Sequence, residues 1–148
     1  MSLIEAERTT TIGRWLVRLV AVVVLVAGAL KVVDVADGVP SGLLYAPAVL
    51  AVLGVTEILL GAWALWRMGR RLPALLLATF VLAVTLYLLT VPPGELERYG
   101  CQCFGTRFRF QDVRDHLRFN GVLIVLAVVG AWLARTTAGE PTSRIRAG

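Results

Sequence analysis

Two sulfurs one residue apart carry the chemistry of this chain. Cys101-Gln102-Cys103-Phe104-Gly105 holds both of its cysteines, in a polar stretch between two long apolar segments. A disulfide needs its Cα atoms about 4.4–6.8 Å apart, so a pair with one spacer closes only on a sharply bent backbone. Strained, accessible disulfides have the higher reduction potentials and enter exchange reactions. So small a ring removes little entropy from the unfolded chain, which makes it a poor staple. Arg98, Arg107 and Arg109 lie nearby in sequence, and positive charge favours the reactive thiolate. Reversible thiol–disulfide exchange, with Cys101 and Cys103 as the catalytic pair, is the leading reading. A static loop staple stays open beside it. So does a metal site completed by His116, the single histidine, although thirteen positions beyond Cys103 matches no zinc signature and no metal is expected.

The elements that must position this pair are apolar. Of 148 residues, 57% are hydrophobic and only 17% charged, with mean hydropathy +0.76. A soluble domain carries nearer about 25% charged residues. The apolar residues fall in four blocks, which predicts membrane spans at about 15–36, 43–66, 72–91 and 119–134. The fold class expected is all-α, an integral membrane four-helix bundle over residues 14–135, with the Cys-x-Cys loop between spans three and four. Residues 1–13 form an N-terminal flank, and the tail 136–148, with Gly139, Pro141 and Ser143, is expected to be disordered. A cleaved signal peptide is the rival for the first block, since Arg8, Arg14 and Arg18 precede it and Ala27-Gly28-Ala29 resembles a cleavage site. The apolar pattern runs on through Leu30, Val32, Val33 and Val35, which favours a retained helix.

Net charge is +5, from fourteen Arg and one Lys against ten acids. The Arg lie at the ends of apolar blocks and not along a polar face, so lipid, not nucleic acid, is the expected partner. Arg8, Arg14 and Arg18, then Arg67, Arg70 and Arg71, then Arg135, Arg144 and Arg146 mark alternate connections. The positive-inside rule then puts both termini in the cytoplasm of a bacterium and the cysteine loop outside, where disulfides persist. The five Arg of that loop run against the rule; the parity of four spans supports it.

Few polar residues enter the spans. Lys31 and Asp34 lie one turn apart near the outer end of span one, and are read either as a charge pair under the cysteine loop or as interfacial anchors. Glu57, fourteen residues below the start of span two and so roughly 20 Å deep, needs a partner and is read either as half of a structural interhelical pair or as a proton relay. Arg18 matches its depth better than Lys31 and is the partner expected. Gly54 and Gly61 flank Glu57 and allow a close helix approach. Asn120 opens span four, either capping the loop or donating to a ligand. Pro92-Pro93-Gly94 ends span three. Asp112 is a predicted N-cap, with Asp115 in the first turn behind it. Phe104, Phe108 and Phe110 interleave with Gly105, Arg107 and Arg109 as a lid over the bundle mouth, and the four Trp read as an aromatic belt.

Four spans, an outer Cys101-x-Cys103-Phe104-Gly105 and an Asn at the start of the last span resemble the MauE branch of the MauE/DoxX-like redox-associated membrane proteins. Lys31, Asp34 and Glu57-x-x-Leu60-Gly61 fit that pattern more loosely, and the likeness covers roughly residues 14–135. It implies a membrane thiol oxidoreductase serving methylamine metabolism, acting in maturation of an extracytoplasmic, disulfide-containing protein beside a thioredoxin-like partner. It also implies coupling to quinone, for which Lys31, Asp34 and Asn120 are the binding residues expected. The alternatives are a non-enzymatic assembly factor or subunit of a DoxX-like complex, and a metal-handling membrane protein.

Overall fold

The computed structural model describes residues 3–38, 46–67, 70–91, 104 and 112–134. Its four helices are α1 (Leu3–Ala36), α2 (Pro47–Trp66), α3 (Arg71–Thr90) and α4 (Val113–Leu133), and no strand occurs among the described residues. Local signals fix their ends. α1 stops where Gly38 takes a left-handed φ of 66° and its N–H reaches back to Val35 O. Pro47 starts α2, where its missing N–H costs nothing. Asp112 caps α4, accepting from the Arg114 N–H at 2.9 Å as its sequence position predicts.

All four helices are long and apolar enough to cross a membrane. Twenty residues at about 1.5 Å each match a hydrocarbon core of about 30 Å. Their outward faces are apolar too: Leu19, Val26, Val55, Leu59, Leu82, Leu86, Val122 and Val125 are all exposed. A helix that is apolar all round needs lipid on the faces its neighbours leave open.

Around the ring, α1 packs most extensively on α2 and also on α4; α3 packs on α4 and touches α2 least. The core draws on every helix, through Val20, Val24, Ala64, Leu77, Val81, Leu123 and Ala127. Small residues bring the backbones together, since no hydrophobic force separates helix from lipid and close packing must hold the bundle. A Cβ on Gly13 would come within 2.8 Å of Gly130 O, and one on Gly61 within 2.8 Å of Ala21 O.

Three boundaries differ from the sequence expectation. α1 begins at Leu3, twelve residues before the predicted span; from Thr10 onward this flank packs on the bundle, with Gly13 against Gly130 of α4. α2 begins at Pro47 rather than residue 43. α4 begins at Val113 rather than 119, as the capped turn at Asp112 runs unbroken into the span.

Candidate functional site

Polar groups are not spread evenly through the bundle. Among the described residues the buried polar or charged side chains are Thr10, Lys31, Asp34, Glu57, His116 and Asn120. All but Thr10 lie in the half nearest the α3–α4 connection. They share the helical spacing of the core. On α1 the inward positions run Ala27, Gly28, Lys31 and Asp34; on α2, Leu50, Gly54, Glu57, Gly61 and Ala64; on α4, His116, Asn120, Leu123 and Ala127. Steps of three and four place each set on one face.

The centre of this half is an ion pair. Lys31 Nζ donates to both carboxylate oxygens of Glu57, at 2.9 Å and 2.7 Å, with both side chains under a tenth exposed. The partner of Glu57 is therefore Lys31 and not the expected Arg18, whose guanidinium stacks 4.7 Å over the Trp15 ring. The expectation failed on two counts. With α2 starting at Pro47, Glu57 lies ten residues down, about 15 Å rather than 20 Å. And side chains tilt toward the N-terminus of their own helix, so in antiparallel helices Lys31 leans inward while Glu57 leans outward, and they meet.

Two glycines make the meeting possible. A Cβ on Gly28 would lie 2.8 Å from Glu57 Cβ, and one on Gly54 would lie 3.1 Å from Lys31 Cβ. Each charged residue therefore stands three positions after a glycine and against the glycine of the other helix. Gly54 and Gly61 do permit the close approach that the sequence suggested.

Between α3 and α4, Asn120 Nδ2 donates to Thr85 Oγ1 at 3.0 Å, and the Thr85 hydroxyl donates to Val81 O at 2.7 Å. Neither the Thr85 contact nor the burial of His116 was foreseen from sequence. The step from His116 to Asn120, one turn along the inward face, was the signal for the second.

Phe104 closes the arrangement. Its ring meets Phe119 edge-on, centroids 5.4 Å apart at 73°. It also lines a cavity of about 30 Å³ whose walls come from all four helices, including Ala27, Glu57, Phe80 and Asn120. That volume admits a water molecule or two. Of the predicted site residues, Lys31, Asp34 and Asn120 are thus buried in one half of the bundle. Cys101 and Cys103 lie outside the described residues, as does most of the loop that carries them. Among the described residues no group of three His, Cys, Asp or Glu could hold a metal ion.

The family described as Methylamine utilisation protein MauE matches this chain over residues 9–133. No curated protein and no solved structure matches it.

Proposed function

Because this chain belongs to the MauE family and is a multi-pass membrane protein, we propose that it is the thiol–disulfide oxidoreductase of its membrane, acting in the maturation of an extracytoplasmic protein of methylamine utilisation. The observation that carries the reading is Phe104. It follows Cys103 directly in the chain, and its ring lines the same cavity as Glu57 and Asn120. Cys103 is thus one residue in sequence from a ring seated in the half of the bundle that holds the buried polar groups.

In the reaction, one sulfur of the Cys101–Cys103 disulfide is attacked by a thiolate of the client or of a thioredoxin-like partner. A second thiolate of that same protein then resolves the mixed disulfide, leaving it oxidised and the pair reduced; where it is the partner, its new disulfide passes to the client by the same exchange. Basic residues support the orientation: Arg14, Arg18, Arg67, Arg70 and Arg71 belong to the end of the bundle opposite the polar half, which favours the outer side for that half.

Electrons collected by the pair leave on a lipid quinone, which supplies a sink for two electrons and two protons. The side chains around the cavity are of the kinds a quinone ring meets, with Phe80 and Leu123 as apolar walls and Asn120 as donor. The cavity itself is of water size, so a ring is admitted only with Phe104 turned aside. Lys31 and Asp34 lie on α1, outside the cavity wall, and support the site from behind.

Serine replacement tests the reading. Cys101→Ser and Cys103→Ser should each abolish client maturation, and one of them should accumulate a mixed disulfide that reductant releases. A membrane-impermeant maleimide should reach the reduced pair from outside. Normal maturation by both variants would leave a scaffold, with the cysteines only shaping a docking loop.

A further inference from the structure

The cavity beneath Phe104 meets the buried ion pair on one side only. Glu57 is part of its wall and Lys31 is not, so the acid of the pair borders the space while its carboxylate holds Lys31 with both oxygens. Asn120 is the other polar residue of the wall. Buried water needs about 10–15 Å³ of room and polar groups beside it; this cavity of about 30 Å³ has the room, and Glu57 and Asn120 border it. An ionisable residue inside a membrane domain is a functional group by default, because a charge is costly to place there. A structural pair has no need of water at its carboxylate. This one has a place for it, under a ring adjacent in sequence to the cysteine pair.

We propose that Glu57 is the proton-exchanging carboxyl of this membrane domain, and that water in the cavity below Phe104 connects it to the bundle mouth. The inference rests on the redox reading above, since thiol oxidation supplies the protons. Forming the S–S bond from the Cys101 and Cys103 thiols releases two electrons and two protons. Both electrons, and in the end both protons, leave on a lipid quinone reduced to the quinol. One proton passes through Glu57: its carboxylate takes the proton from the thiol side through cavity water, holds it as the acid, and returns it as the acceptor is reduced. Lys31 has a flexible stem and three donors. Asp34, buried one turn outward on the same face of α1, offers its ammonium a second carboxylate while Glu57 is protonated.

The experiment uses the full-length protein in lipid nanodiscs, reduced with dithiothreitol and re-oxidised with a short-chain ubiquinone. Thiol alkylation reports the state of the cysteines, and redox-difference infrared spectra report carboxyl groups. The expected result is a protonated-carboxyl stretching band that changes with the state of the pair, shifts in D2O and is missing in Glu57→Gln. Re-oxidation should slow about 100-fold in that variant, the scale of a lost acid–base group. Should Glu57→Gln fail to fold, Lys31→Met/Glu57→Met removes both charges together and carries the same test. A proton role keeps that double variant slow, whereas a purely structural role restores its rate. Cysteines that cycle with no such band, or with one that Glu57→Gln leaves intact, overturn the inference and leave the redox reading standing. Cysteines that do not cycle at all overturn both.

Discussion

Gly28→Ala is the sharpest probe of how the bundle holds its charges. The new Cβ would lie 2.5 Å from Gly54 O, 2.8 Å from Glu57 Cβ and 3.0 Å from Ile58 N, against 3.4 Å where ordinary contact begins. Two of these neighbours are backbone atoms and cannot rotate away, so α2 must retreat by about 0.9 Å. The retreat falls on the residue that grips Lys31. Contacts now at 2.7 Å and 2.9 Å would pass the roughly 3.2 Å limit of a good N–H···O bond unless the lysine follows. Overpacking alone costs about 1–3 kcal/mol, and the better helix propensity of Ala returns about 1 kcal/mol. With the weakened pair added, the expected net loss is about 2 kcal/mol. It can be read as the shift in a dodecyl sulfate unfolding titration followed by circular dichroism in mild detergent. Gly121→Ala is the control, since a Cβ there meets nothing within 4 Å and the same exchange should be neutral or stabilising. If the two variants unfold together, the glycine crossing is not what sets the α1–α2 distance, and the account of the pair fails.

Two further outcomes follow from the same geometry. Lys31→Met should destabilise by about 3–5 kcal/mol by leaving Glu57 buried and unpaired, while Lys31→Met/Glu57→Met should recover most of that loss; a double variant as unstable as the single would contradict it. Asn120→Ala should cost about 0.6–1.7 kcal/mol in the same titration, and adding Thr85→Val should cost little more, because both changes remove one interhelical bond.

The bundle was legible in the sequence because hydrocarbon leaves little choice: four apolar blocks of about twenty residues have to be helices. The Asp112 cap was legible because its signal is local. What composition could not give was the packing of the α1 flank from Thr10 onward, since Gly13 means little until Gly130 is beside it. The Lys31–Glu57 pair was missed by measuring depth along each helix from its expected end and ignoring the tilt of the side chains. His116 was weighed only as a ligand for distant cysteines. Its place on the inward face of α4 needed the helix to start at Val113, six residues before the apolar run suggested. The chemistry assigned to Cys101 and Cys103 came from their spacing, and they lie outside the described residues.

One compositional oddity now has a physical account. Fourteen of the fifteen basic residues are arginine, and the exception is Lys31, the buried cation of the ion pair. Guanidinium is planar, broad and permanently charged, suited to the interfaces where Arg18 and Arg67 stack on Trp15 and Trp66. Between α1 and α2 the backbones are held so close at Gly28 and Gly54 that a Cβ on either would clash. A slender stem ending in a compact ammonium fits such a gap, and its donors reach both oxygens of Glu57. The narrow crossing and the choice of lysine are therefore one solution: close helices exclude the larger cation, and the compact ammonium reaches the carboxylate across the gap they leave.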